Sequence, residues 1–140
     1  MFNKDRVEAS LRNDGVTAEQ GSWTVAENLL TTLAGEQLRR GQSAILDTVA
    51  RVAASRAAWR ATAEHAGAAF RLIECVCSDP ARHRARIEGR IRGIPGWAEL
   101  TWDDVESVRA RWTPWDDERL VLDAVEPVSA NVAAALRYLE

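Results

Sequence analysis

The sequence predicts an α/β fold with a parallel sheet, and three observations carry that expectation. Segments with helical spacing alternate with short apolar segments along the chain, the pattern that packs helices onto parallel strands. Arg39-Arg40-Gly41-Gln42-Ser43-Ala44-Ile45-Leu46-Asp47-Thr48 reads as a helix end, a glycine stop, a buried strand and a polar pair just past it. Gly41 can take the left-handed conformation that closes a helix, and the unbroken Ala44-Ile45-Leu46 run suits a strand covered on both faces. A second apolar segment, 70–77, runs into Ser78-Asp79-Pro80. That is a helix start, with a capping side chain and proline at the first helical position.

In chain order, residues 4–11 suit a short helix, and 13–22, polar and holding Gly15 and Gly21, a loop. Residues 23–40 form a helix, because Ala26, Leu29, Leu30, Leu33, Ala34 and Leu38 recur at three- and four-residue spacings. The strand at 43–47 follows. An alanine-rich helix over 53–66 ends at Gly67, and its alanines at 54, 57, 58 and 61 allow close packing on a sheet. The helix opened by Ser78-Asp79-Pro80 should run to about Arg92, where Gly93-Ile94-Pro95-Gly96 breaks it. Thr101 and Asp104 are spaced as a capping box, with Asp in place of the usual Glu or Gln. The helix they open should stop near Trp112, before Pro114. Residues 119–123 form the third strand, and Pro127 precedes a last helix with Val132, Leu136 and Leu139 on one face.

The 140 residues are enough for one domain with a buried core. With 46% hydrophobic and 28% charged residues, the balance is that of a soluble globular protein. The formal net charge of −3 gives no electrostatic case for a nucleic-acid or anionic-membrane partner. No apolar run approaches the ~20 residues that span a bilayer, and Asn3-Lys4-Asp5-Arg6 interrupts any signal peptide. A cytoplasmic location is expected. Cys75 and Cys77 lie too close together on an extended strand for an ordinary disulfide, and with His65 and His83 they match no metal-site spacing. Buried structural cysteines are expected, and the two histidines are expected at the surface. No metal ligands are assigned.

Order and spacing make a resemblance specific. Asn3-Lys4-Asp5-Arg6 opens a helix, Arg-Gly-Gln-Ser-Ala-Ile-Leu-Asp-Thr follows, and Cys77-Ser78-Asp79-Pro80 leads into an Arg-rich helix. From Phe2 to Leu139 the chain resembles the P-loop kinase-like ATP-binding proteins of the AAA ATPase class, the group that includes chloramphenicol phosphotransferase-like and zeta-toxin-like enzymes. The resemblance implies a three-layer parallel sheet of the nucleotide-kinase type, with a helical lid over 80–116 inside a single domain of residues 1–140. It also implies ATP and Mg²⁺ as cofactors and a small-molecule acceptor as substrate. One departure stands out. The sequence holds no G-x-x-x-x-G-K-[S/T] phosphate loop, and Lys4 is its one lysine. The chain is therefore expected to be such a kinase lacking its front, a truncated and inactive form. A non-catalytic remnant or interaction module is the alternative. In the resembled fold a first strand lies between those at 43–47 and 70–77. Without it, these two are expected to close up and pair, or to leave the chain poorly folded.

The resemblance also assigns roles. An acid at the position of Asp5 faces the substrate hydroxyl as general base. Read without it, Asp5 is a helix N-terminal acid favoured by the helix dipole. Asp47 emerges at the carboxyl end of a strand, where open α/β sheets place their ligands; it is read as a second catalytic carboxylate near Mg²⁺ or the acceptor, against an ordinary strand-end cap. Thr48 is read as assisting substrate binding. Among the lid arginines, Arg86 and Arg90 are four apart and would share a helix face toward nucleotide phosphates; the alternative is a solvated basic face. Trp97, Trp102, Trp112 and Trp115 either line an acceptor pocket or staple the lid helices together.

Overall fold

A computed structural model describes residues 1–112 and 114–140. Residue 113, inside the expected lid segment, lies outside the described residues. The chain divides into two compact units, residues 1–70 with 93–98, and residues 71–92 with 99–140.

The first unit opens with a two-residue strand, β1 (Phe2–Asn3), which sequence spacing did not reveal. Asn3 ends this strand and starts α1 (Lys4–Asn13), its side-chain oxygen accepting the Arg6 N–H at 3.0 Å. That bond satisfies one of the unpaired amides of the first turn. α2 (Ser22–Arg39) follows the polar loop and buries Ala26, Leu30 and Ala34 of the predicted stripe, while Leu29 and Leu33, also expected on it, are exposed. β2 is only Leu46–Asp47, pairing parallel with β1 in the register Phe2↔Leu46 and Asn3↔Asp47. The expected strand over 43–47, covered on both faces, is thus corrected. Its partner offers two residues before turning into α1, and Ile45 is 60% exposed. α3 (Ala53–His65) packs on α2, with Trp59 donating from Nε1 to Thr31 Oγ1 at 2.9 Å and Ser55 to Glu27 Oε2 at 2.7 Å. Gly67 follows it at φ +66°, a conformation that favours glycine.

In the second unit, β3 (Ile73–Val76) pairs parallel with β4 (Leu120–Asp123) over four residues. Between them α4 (Pro80–Glu88) is capped by Asp79, which accepts the Arg82 N–H at 3.0 Å. It stops at Gly89 rather than at Arg92. α5 (Trp102–Arg109) begins with the complete Thr101–Asp104 capping box. α4 and α5 pack together, with the His83 and Trp102 rings edge to face at 5.4 Å. α6 (Val128–Leu139) ends the chain's ordered elements, with Val128, Val132, Leu136 and Leu139 exposed.

Among the described residues the strands thus form two parallel pairs, β1–β2 and β3–β4. The strands expected to close up against each other each have another partner. Their right neighbours were β1, too short for periodicity to mark, and β4. Cys75 is exposed and Cys77 half-buried, which corrects the expectation of buried cysteines. A two-stranded pair has too few neighbours to cover its middle. His65 is exposed as expected. No helix among the described residues is long and apolar enough to cross a membrane.

Candidate functional site

The parallel register of β1 and β2 brings the chain's two candidate carboxylates to one sheet edge. Asn3 faces Asp47 across the pair, and its Nδ2 donates to Asp47 Oδ2 at 2.7 Å. One asparagine thereby caps α1 with its oxygen and holds the exposed Asp47 with its amide nitrogen. Asp5 stands two residues past Asn3, in the first turn of α1. Thr48 follows Asp47, and its Oγ1 accepts the Ala50 N–H at 3.4 Å. Ala50 has φ +52°, left-handed backbone that costs a non-glycine residue ~1–2 kcal/mol. The buried Arg56 holds it there by donating to the Ala50 carbonyl at 2.9 Å. The loop past β2 is therefore fixed beside the carboxyl edge.

Sequence reading missed the group that surrounds Asp5. Lys4 is 2% exposed. Its Nζ lies 2.7 Å from Asp5 Oδ1 and 2.7 Å from Glu8 Oε2. Glu8 Oε1 accepts the Ser22 hydroxyl at 2.8 Å and meets Arg12 at 3.3 Å. Two indoles complete the enclosure: the Lys4 ammonium is 3.6 Å from the Trp23 ring centroid and 5.5 Å from that of Trp97. The negative faces of the rings favour a cation. The available signal was the Lys4–Glu8 pair at i,i+4 in a chain that otherwise uses arginine. Trp97 was expected with the other lid tryptophans. It belongs instead to the first unit, over Lys4 and Arg12. Trp112 and Trp115 stack on each other in the second unit, with centroids 5.4 Å apart.

Arg86 and Arg90 belong to the second unit. Arg86 donates to the Ala124 carbonyl at 2.8 Å and Arg82 to that of Val125 at 3.1 Å, so both guanidiniums tie the loop after β4. Asp123 Oδ1 accepts the Val125 amide in that loop and the Ser78 amide from the loop after β3. The Ser78 side chain first, then the Val125 amide, with smaller help from the Ser78 amide and nearby Arg82, hold its carboxyl below the ordinary aspartate range. Arg90 lies beyond the end of α4, so it shares no helical face with Arg86; Gly89 caused the correction by closing the helix early. A groove of about 340 Å³ is lined by Leu122, Val128, Val132 and Ala135, with Arg86 and Glu126.

Holding ATP and Mg²⁺ takes a cradle of backbone amides, a lysine for the phosphates and carboxylates for the metal. Lys4 is enclosed and spent on Asp5 and Glu8, and Arg86 serves a backbone carbonyl. No group of three His, Cys, Asp or Glu side chains that could hold a metal ion occurs among the described residues. The side chains described do not, by themselves, fit a nucleoside triphosphate with its metal.

Comparisons with known proteins give the family. A search of curated proteins and a search of solved structures each found no match. A family model described as an AAA domain, P-loop NTPase-like and including kinase-like families, matches residues 2–111 and so takes in β1, β2 and the candidate edge. The match spans well over half of the 140 residues, and the chain belongs to the AAA domain family.

Proposed function

We propose that this chain supplies the acceptor side of an ATP-dependent small-molecule phosphotransferase. The observation that carries the reading is the Asn3↔Asp47 register, which sets Asp47 and, two residues past Asn3, Asp5 at the carboxyl edge of a parallel pair. Membership of the AAA domain family supports nucleotide chemistry of the kinase-like kind. Asp5 acts as general base and takes the proton of an acceptor hydroxyl within hydrogen-bond reach. Asp47, fixed by Asn3, and Thr48 bind neighbouring polar groups of the acceptor. α4 and α5, joined through His83 and Trp102, are the arms of the helical lid in this reading.

The 140 residues alone are inactive in this reading, since they hold no phosphate loop and Lys4 is spent. Titration calorimetry of the chain with ATP·Mg²⁺ should show a Kd weaker than about 100 μM, roughly −5.5 kcal/mol; tighter binding would contradict the fit described above. The enclosure of Lys4 also favours a second reading, a non-catalytic binding module. To separate the two, the chain is extended ahead of Met1 with a strand, a phosphate loop and a helix, then given γ-labelled ATP and a panel of sugar, polyol and nucleoside hydroxyls. Label on an acceptor supports the phosphotransferase. Bound ATP with no label on any acceptor supports the module.

A further inference from the structure

We infer that Lys4 is a positioning residue, its enclosed ammonium fixing the Asp5 carboxylate in one orientation; this rests on the reading of Asp5 as acceptor base. Adjacent helix residues do not ordinarily face each other. The 2.7 Å contact between Lys4 and Asp5 therefore requires the lysine side chain to be turned and held. Three groups hold it. Glu8 takes one bond from the ammonium and is itself locked by Ser22, which is fully buried, and by Arg12. Trp23 and Trp97 cover the cation with their ring faces.

The two carboxylates on this ammonium differ in the way a positioning role demands. Glu8 is 3% exposed and both its oxygens are engaged, so it is the structural counter-ion. Asp5 is 27% exposed and so can be reached from solvent. Neutralising a buried lysine needs one carboxylate, yet the second contact goes to the residue that stands at the sheet edge. A base held in one rotamer loses no orientational freedom when its substrate arrives.

The test uses NMR on the 140-residue chain. Lys4 is the one lysine, so ¹⁵N-lysine labelling gives a single side-chain resonance. Asp5→Asn should shift that resonance, and three-bond couplings should place Asp5 in a single χ1 well. Removing Lys4 alone leaves one oxygen of the buried Glu8 without its cation and endangers the fold. The working variant is therefore Lys4→Met with Glu8→Gln, which removes both charges. In it the Asp5 couplings should average over several rotamers while the backbone spectrum stays folded. Lys4→Arg should restore the single well. A Lys4 resonance unmoved by Asp5→Asn, or an Asp5 rotamer unchanged in the double variant, overturns the proposal. In the extended chain the double variant should lower kcat roughly 10–100-fold with little change in KM. If Asp5→Asn leaves turnover intact while the NMR results hold, the base assignment fails and the Lys4 contact stands.

Discussion

Thr101 and Asp104 show how local bonding sets a charge. Asp104 accepts both the backbone amide and the hydroxyl of Thr101, at 2.8 and 2.7 Å. These bonds favour the ionised form and hold its carboxyl below the ordinary aspartate range. The sign follows from linkage. The folded state binds this proton less readily than the unfolded chain, so the stabilisation is full above the unfolded value and is lost as pH falls through the folded one. A ¹³C titration of the side-chain carboxyls should find Asp104 titrating below an ordinary aspartate in the wild type and moving only part of the way back in Thr101→Val, which removes the hydroxyl bond and keeps the amide one. Both residues were legible as a capping box, because the bonds lie within one turn. Lys4, Glu8, Ser22 and Trp97 were not legible as a group. Their contacts cross up to 93 positions of sequence, and nothing in local spacing brings residue 97 to residue 4.

Helices were legible to within a residue or two where caps and spacing agreed, as in α2 and α3; α5 starts at its expected cap but ends at Arg109, three residues before the expected Trp112. The end of α4 was misplaced because Gly89 closes it one turn before the Gly93–Gly96 break that the sequence emphasises. Strands were harder to read. A strand is only as long as its partner permits, and β1 limits β2 to two residues. Helix packing supplies the element-scale expectations. Leu30 of α2 is fully buried, so Leu30→Ala should cost about 2–5 kcal/mol in urea unfolding. Thr101→Ala removes the cap of α5 and should cost about 1 kcal/mol. A Leu30→Ala cost near zero would show that the α2 stripe is not core.

At the scale of the whole molecule the two units differ: the buried apolar residues of the first are mainly small, Ala9, Ala26, Ala34, Ala50 and Ala63 beside Leu30 and Trp59, and those of the second are Leu72, Ile87 and Trp115. Close helix packing rather than bulk fills the first unit. The α/β class and the kinase-like resemblance were legible from the order of motifs, and the AAA domain match supports them at that level. The pairing of the strands was not legible, since parallel partners are chosen by tertiary packing. The sequence-assigned residues fall in different units. Asp5, Asp47 and Thr48 share the β1–β2 edge, while Arg86 ties the loop after β4.

The central claim is that Asp5 is the base for an acceptor hydroxyl at the β1–β2 edge. The most direct test is the turnover of Asp5→Asn against wild type in the chain extended with a phosphate loop, at saturating ATP and acceptor. The account expects kcat to fall about 10²–10⁴-fold, the usual contribution of a general base, with ATP affinity unchanged. An Asp5→Asn enzyme that turns over at the wild-type rate would contradict it.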